Sequence, residues 1–409
     1  MPSVLISGAR APVCLDLARA FSALGWQVHL LDFQRFPLAR FSNSCHRYWR
    51  LPSPVFSSDF FRQFSGLLQN IQPDLIVPTC EELFWLRHSY SGPQLFCPQL
   101  PQLLEVHHKL AFVQLCQRLG FDTPSSFSVR RFSDMQQHEF ACSSDARLPI
   151  VLKPAFSRFG FEQKLRPTWA EVQATLDGSR DWVCQTFLDG RSYCSYSVAR
   201  AGQLQAHACY RPLLRLNQGA AVAIEAVDHP QILEWTRTFV ALTNWTGQIA
   251  FDFIQPPGYP PNAIECNPRS TSGIHLFQAQ QASQLAQALA GQTTSLLAPP
   301  SGTKAYLEFP ALAAWASQLP KSLHDGSLSQ LRQAQSVVYR SNDILPSLGQ
   351  LAGFGELALT ALYHRRPLLA QSTADFECNG IFPERPLTAA AEPVLVDHTQ
   401  TLGSRTLPQ

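Results

Sequence analysis

Two short apolar runs joined by a turn-rich stretch constrain this chain more than any other feature. Gln248 to Ile254 and Ala263 to Cys266 read as strands, and Gln255 to Asn262 between them is dense in proline with one glycine. A hairpin is the expected product. Asp252 and Glu265 lie thirteen residues apart across that connection, so cross-strand pairing sets them side by side. Asn267 follows Glu265 by two residues and shares its face, as Arg269 does after it. Two carboxylates and an amide oxygen therefore converge. Burying such a cluster is costly unless a cation neutralises it, and Mg²⁺ accepts a few hard oxygen ligands completed by phosphate oxygens. Arg269 adds a planar fork suited to phosphate or carboxylate. The competing reading is a surface hairpin with incidental charges, but the combined set is far more specific than any one member.

The chain has 409 residues, 45% of them hydrophobic, enough for two or three domains with a substantial core. Val4 to Ser7 is a short apolar run, followed by Gly8, a helical pattern from Pro12 to Leu24, and a second run from Gln27 to Leu31 ending at Asp32. That is a βαβ start. Asp74 to Val77 reads as a further strand, stopped by Pro78 and followed by a loop entering a helix at Glu81 and Glu82. A parallel sheet is expected over the first hundred or so residues. A dinucleotide fingerprint needs G-x-G-x-x-G after the first strand and only Gly8 is present, so NAD binding is not expected.

Further on, Glu105 to Leu119 reads as one amphipathic helix closed by Gly120 and Pro124. Pro149 to Pro154 reads as a strand carrying one lysine, Lys153, near its end, and Trp182 to Phe187 as another running into the turn Asp189-Gly190. Alternation resumes from Tyr193 to Ala199. Beyond Ala279 the pattern is helical until Pro299 and Pro300, and the last twenty or so residues are expected to be poorly ordered. No internal repeat is evident.

Charge and cysteine usage narrow the class. Lys and Arg total 32 against 30 Asp and Glu, a net charge of +2 with no long run of either sign, so neither nucleic acid nor a membrane surface is an expected partner. No uninterrupted apolar stretch reaches about 18 residues and no basic segment leads into an apolar one, which makes a cytoplasmic protein the expectation. The eleven cysteines include no C-x-x-C pair, so Cys80 and Cys266 read as reduced, buried residues rather than metal ligands.

The hairpin resembles the signature of the ATP-grasp superfamily, an acidic residue on one strand followed by Glu-x-Asn-Pro-Arg on the next, met here by Asp252 and Glu265-Cys266-Asn267-Pro268-Arg269. The resemblance implies a fold of mixed α/β and α+β class. It would comprise an N-terminal parallel-sheet (pre-ATP-grasp) domain over 1–104, a small subdomain with a lid over 105–188, a central antiparallel-sheet, metal-binding subdomain over 189–298, and a C-terminal extension over 299–409. It implies that Asp252, Glu265 and Asn267 hold one or two Mg²⁺ ions, or Mn²⁺, on the phosphates of ATP, and that Arg269 faces the transferring phosphoryl or acyl group. Lys153, in a Pro-x-x-x-Lys-Pro pattern, and Lys109, on the helix before the lid, match lysines that reach the phosphates. Arg211 and Arg215 lie where relatives keep further cations, so Arg211 joins Arg269 and Lys153 as a catalytic candidate.

After Lys153 the chain departs from the family's glycine-rich loop and reads Ala155-Phe156-Ser157-Arg158-Phe159-Gly160, so Ser157 and Arg158 are expected to replace backbone donors. Trp182 to Leu188 matches the hinge that cups adenine, with Gln185, Phe187, Leu188 and Asp189 as its contacts; Ser192 stands where many relatives have an acidic ribose ligand. Glu81, Glu82, Ser272, Gly273 and His275 are candidate crevice residues, and Asp375 to Gly380 is an unusual segment with no assigned role.

Within the superfamily the likeness is to the group around the large subunit of carbamoyl-phosphate synthase. The implied chemistry is phosphorylation of a small carboxylate or enolate by Mg-ATP, then coupling to an amine with release of ADP and phosphate. A narrower variant resembles the mycosporine-glycine synthases, which couple a cyclic enolone to an amino acid. A reading of another class is a nucleotide-binding regulator without turnover, favoured by the altered loop and Ser192 and opposed by the complete acidic set. The partners implied are small-molecule acids and amines, with a homodimer as an open assembly.

Overall fold

Because Val4, Leu5 and Ile6 are all fully excluded from solvent, the first strand is covered on both faces, which is the signature of a parallel sheet between helices. In the computed structural model, which describes residues 1–135, 147–157, 162–215, 221–293, 295–308 and 333–383, this region alternates strand and helix. Its elements are β1 (Ser3–Ser7), α1 (Pro12–Ala23), β2 (Gln27–Asp32), β3 (Arg47–Arg50), α2 (Asp59–Ile71), β4 (Leu75–Val77) and α3 (Glu82–Ser89). The strands run parallel in the order β3-β2-β1-β4. Gly8 makes the turn out of β1 at φ +78°, and a Cβ there would stand 2.4 Å from Thr79 Oγ1, so the first and fourth strand exits can touch only with glycine at this position.

The expected helix from Glu105 to Leu119 is two helices, α4 (Leu100–His107) and α5 (Lys109–Arg118). His108 breaks them by adopting an extended conformation and caps α5 itself, its Nδ1 accepting from Ala111 N–H at 3.2 Å. The chain then forms β5 (Ser126–Arg131), α6 (Phe132–Met135), β6 (Ile150–Pro154), β7 (Lys164–Leu165), α7 (Trp169–Thr175) and β8 (Asp177–Thr186). These strands make a small antiparallel sheet, β5-β8-β6-β7. A Thr168–Glu171 capping box starts α7.

The remaining elements are β9 (Arg191–Arg200), β10 (Gln203–Arg215), β11 (Ala221–Ala226), α8 (Pro230–Leu242), β12 (Gly247–Gln255), β13 (Asn262–Asn267), α9 (Gln280–Leu289), β14 (Lys304–Tyr306), β15 (Gln335–Ser336), α10 (Leu345–His364) and α11 (Leu368–Gln371). The large sheet runs β13-β12-β9-β10-β11-β14-β15, antiparallel apart from its last pair. Alternation along β12 divides its side chains between two cores. Phe251 and Phe253 pack against Trp235 and Phe239 of α8, with Phe112 of α5 beside Phe251. On the opposite face Tyr196 and Val198 of β9 join the core that includes α1 and α9. The expected poorly ordered terminus falls on 384–409, outside the described residues. No helix among the described residues is long and apolar enough to cross a membrane.

Candidate active site

Asp252 pairs in direct register with Glu265 on one side and Cys194 on the other, and Cys194 pairs with Tyr210. Register partners share a face, so Glu265, Asp252, Cys194 and Tyr210 form one row across four strands. The Cys194 thiol hydrogen-bonds Asp252, and Asn267 Nδ2 donates to Asp252 Oδ2 at 3.5 Å. Immediately after Asp252 the register shifts, Phe253 pairing with Ala263, which leaves Ile264 unpaired in the ladder. Its carbonyl faces a lysine instead.

That lysine is Lys153, 3% exposed at the end of β6, whose Nζ donates to Ile264 O at 3.4 Å and to Gln185 Oε1 at 2.8 Å. Gln185 in turn donates its amide to Ser126 Oγ at 3.1 Å, which orients the carboxamide toward the ammonium. Lys109, the first residue of α5, lies 3.4 Å from Glu265 Oε1 and donates to Ser157 O at 3.2 Å. Two lysines and two carboxylates thus meet where α5, β6 and β13 come together.

The charges are unbalanced in a telling way. Burial lowers Lys153 to about 8, against the opposing pull of Glu265. Burial pushes Glu265 upward, but Lys109 and Lys153 outweigh it and hold this carboxyl below its usual range. Asp252 is raised, by burial first and then by the charge of Glu265 beside it. A divalent cation between these two groups would relieve that repulsion; the two carboxylates offer it hard oxygens, and Asn267, whose Nδ2 faces Asp252 and whose Oδ1 is held by Arg269, would add its oxygen with the amide turned over, leaving room for water and phosphate. The residues therefore fit magnesium. Among the described residues no group of three or more His, Cys, Asp or Glu forms a protein-only metal cage.

Arg269 leaves this cluster toward the first sheet. Its Nη2 donates to Asn267 Oδ1 at 3.1 Å and its Nη1 to Ser270 O at 3.3 Å, with Nε 3.9 Å from Glu81 Oε1. Gln248 fastens the junction, donating to Pro78 O at 2.7 Å while its Oε1 accepts from Ser270 Oγ at 2.6 Å. A cavity of about 440 Å³ opens here, bounded by Arg269, Glu81, α1 and α10. A hollow of about 530 Å³ beside α2 has no charged residue in its lining and none of the cluster.

No protein-family model matches the chain, and no curated protein matches it. Solved structures do. The N5-carboxyaminoimidazole synthetase of Staphylococcus aureus complexed with ADP superposes with TM-score 0.61 at 14% identity, over 80% of this chain and 86% of that one. An L-amino acid ligase from Bacillus licheniformis gives 0.57 at 14% identity, over 75% and 80%. The biotin carboxylase domain dimer of the Hydrogenobacter thermophilus 2-oxoglutarate carboxylase, in complex with MgADP, ADP and bicarbonate, gives 0.56 at 12%, over 74% and 73%. The chain has the ATP-grasp fold.

Within this ATP-grasp fold the other candidate residues divide. Phe187 and Leu188 are half-buried beyond β8, but the Phe187 N–H is already donated to Pro149 O at 2.9 Å, and Asp189 is exposed. Ser157 meets Lys109 through its carbonyl, and Arg158 lies outside the described residues. Arg211 does not join the cluster. It follows Tyr210, so alternation turns it to the other face of β10, where Glu225 on β11 accepts from its Nε at 2.8 Å. Glu82 accepts from Ser7 Oγ and from the Thr79 and Cys80 N–H groups, a structural brace, while His275 is bound to Asp16 at 2.7 Å beside the cavity.

The segment without an assigned role, Asp375 to Gly380, proves to pack into the crevice. Arg10 Nη2 binds Asp32 at 2.5 Å and Asp375 at 2.7 Å, and Trp85 Nε1 donates to Phe376 O at 2.9 Å. His107 Nε2 lies 3.3 Å from Cys378 O, which can only accept, and 3.5 Å from Glu81 Oε2; burial, Lys109 and Arg269 lower this imidazole to about 3. Nothing local in the sequence signals these contacts, because every partner lies more than 270 residues away.

Proposed function

We propose that the chain is an ATP-dependent, ADP-forming ligase that phosphorylates a small carboxylic acid and couples the acyl group to an amine. The observation that carries this reading is the convergence of Asp252 and Glu265 with Lys109 and Lys153. Such an arrangement suits phosphoryl transfer, which requires positioning and charge neutralisation more than covalent help from the protein. The solved structures of similar fold support it, being a synthetase, a ligase and a carboxylase domain, two of them with ADP.

Asp252, Glu265 and Asn267 would hold magnesium, which supplies neutralisation of the phosphate charge when bound. Lys153, poorly countered in its pocket, binds phosphate oxygens, and Lys109 stands beside Glu265 to do the same. Arg269 holds the carboxylate of the acid. A carboxylate oxygen attacks the γ-phosphorus as the bond to the β,γ-bridging oxygen breaks and ADP leaves. The amine nitrogen then attacks the acyl carbon, phosphate departs, and the nitrogen loses a proton. Phe187 and Leu188 serve as apolar walls for adenine.

Lys153→Ala is expected to weaken Mg-ATP binding roughly 10- to 100-fold by calorimetry, since a hydrogen bond to a charged group is worth about 1.5–3 kcal/mol. Affinity equal to that of the unaltered protein would remove Lys153 from the nucleotide site. Turnover is tested by ADP release with mixtures of acids and amines. Tight Mg-ATP binding without acid-dependent ADP would replace the ligase by a nucleotide-binding regulator.

A further inference from the structure

The cavity beside Arg269 is built to a pattern that the ligase chemistry alone does not require. Most of its charged lining is engaged within the protein, although Glu308 Oε2 is buried there without a hydrogen bond among the described residues. Arg10 is taken by Asp32 and Asp375, His275 by Asp16, and Glu308 Oε1 by the Val338 and Tyr339 N–H groups. Arg269 differs. Of its five N–H donors, two hold Asn267 and Ser270 and Nε faces the buried Glu81 carboxylate at 3.9 Å, which leaves one donor on each Nη nitrogen for a ligand.

The apolar part of the lining is Val13, Leu38, Phe354, Leu357 and Phe376, interspersed with Gln34, Gln350, Ser372 and Thr373. The far wall is α10, and it is held close on purpose-built contacts. A Cβ at Gly349 would stand 2.3 Å from the Phe41 ring, and one at Gly353 2.9 Å from Phe36 O, so only glycine lets the helix approach. Glu356 fixes the same helix by accepting from the Arg35 and Phe36 N–H groups, each at 2.8 Å. The wall that carries Phe354 and Leu357 is thus anchored to the loop after β2.

We propose that the acid activated by this protein has an apolar body, aromatic or branched, which lies along Val13, Leu38, Phe354 and Leu357 while its carboxylate binds Arg269. A cavity of about 440 Å³ is within the range of ordinary small-molecule sites, and acetate would leave most of it unfilled. Assigning the cavity to the acid rests on the ligase reading; its binding preference does not, and can be measured without nucleotide.

The test titrates the full-length chain, free of ATP, with 3-phenylpropanoate, acetate and 3-phenylpropylamine by calorimetry or ligand-observed NMR. The phenyl acid is expected to bind at least tenfold more tightly than acetate, with no binding of the amine. Leu357→Trp, which places a ring in the cavity, is expected to weaken 3-phenylpropanoate at least tenfold and to leave Mg-ATP affinity unchanged, which also reports an intact fold. Phe354→Ala, at a half-exposed position, is expected to weaken it several-fold. Equal affinity for the two acids, tighter binding of the amine, or unchanged affinity in both variants would overturn the proposal. Acid binding without ADP release in any mixture would instead refute the ligase reading and leave the binding preference standing.

Discussion

Glu265→Gln lowers acid-dependent ADP release by roughly 10³-fold while the protein stays folded, the scale expected when a preorganised electrostatic contact to the transferring group is lost. Glutamine keeps the volume and one acceptor oxygen but removes the charge that faces Lys109 at 3.4 Å and supports Lys153. It also removes the repulsion that raises Asp252, so the fold loses an ion pair and gains relief of a like-charge contact. The two changes oppose each other in stability and combine against catalysis. The measurement is coupled ADP release alongside circular-dichroism melting. Activity near that of the unaltered protein, with an unchanged melt, would show that the carboxylate pair does not hold the metal.

The same pair explains why part of the site is legible in the sequence. Strand alternation and a single turn-rich connection leave few ways to pair Gln248–Ile254 with Ala263–Cys266, and the observed register sets Asp252 opposite Glu265. Lys153 is legible for a related reason, since a lone charge ending an apolar strand requires a partner. Arg211 shows the limit of arguing from position between motifs. Its neighbour Tyr210 faces the site, and a side chain one step along a strand faces away from it. The break at His108 is hidden because His107-His108-Lys109 continues the helical pattern, while an imidazole acts as the cap where Ser, Thr, Asp or Asn is usual. β3 was not expected either, for Arg47-Tyr48-Trp49-Arg50 is a short, charged edge strand without an apolar run. Least legible is Asp375 to Gly380, whose meaning lies in contacts with Arg10 after β1, with Trp85 of α3 and with His107 of α4.

Those contacts lead to the largest expected effect on stability. Arg10→Met removes the only side chain seen bridging Asp32, 1% exposed, and Asp375, 18% exposed, among the described residues. Breaking a buried pair by deleting one partner costs about 3–5 kcal/mol because the other charge is left uncompensated. Asp32 keeps the N–H groups of Arg10, Phe33 and Gln34, so the cost belongs at the lower end of that range, about 3 kcal/mol. Asp375 is the more vulnerable partner. Burial raises it and Arg10 opposes that rise, so without the guanidinium the carboxyl binds its proton more tightly in the docked state than in the undocked one. Stability then increases as pH falls through the docked-state value, and the deficit of the variant shrinks toward acid pH. Arg10 also covers the Phe376 ring at 4.8 Å, so the segment from Ser372 to Gly380 loses both its charge anchor and a stacking surface. Hydrogen exchange of the Phe376 and Cys378 amides reads the local release, and urea unfolding at neutral and mildly acidic pH reads the global cost. Protection of those amides equal to that of the unaltered protein at neutral pH would mean that the aromatic contacts of Phe376, rather than the ion pair, hold the segment across the crevice.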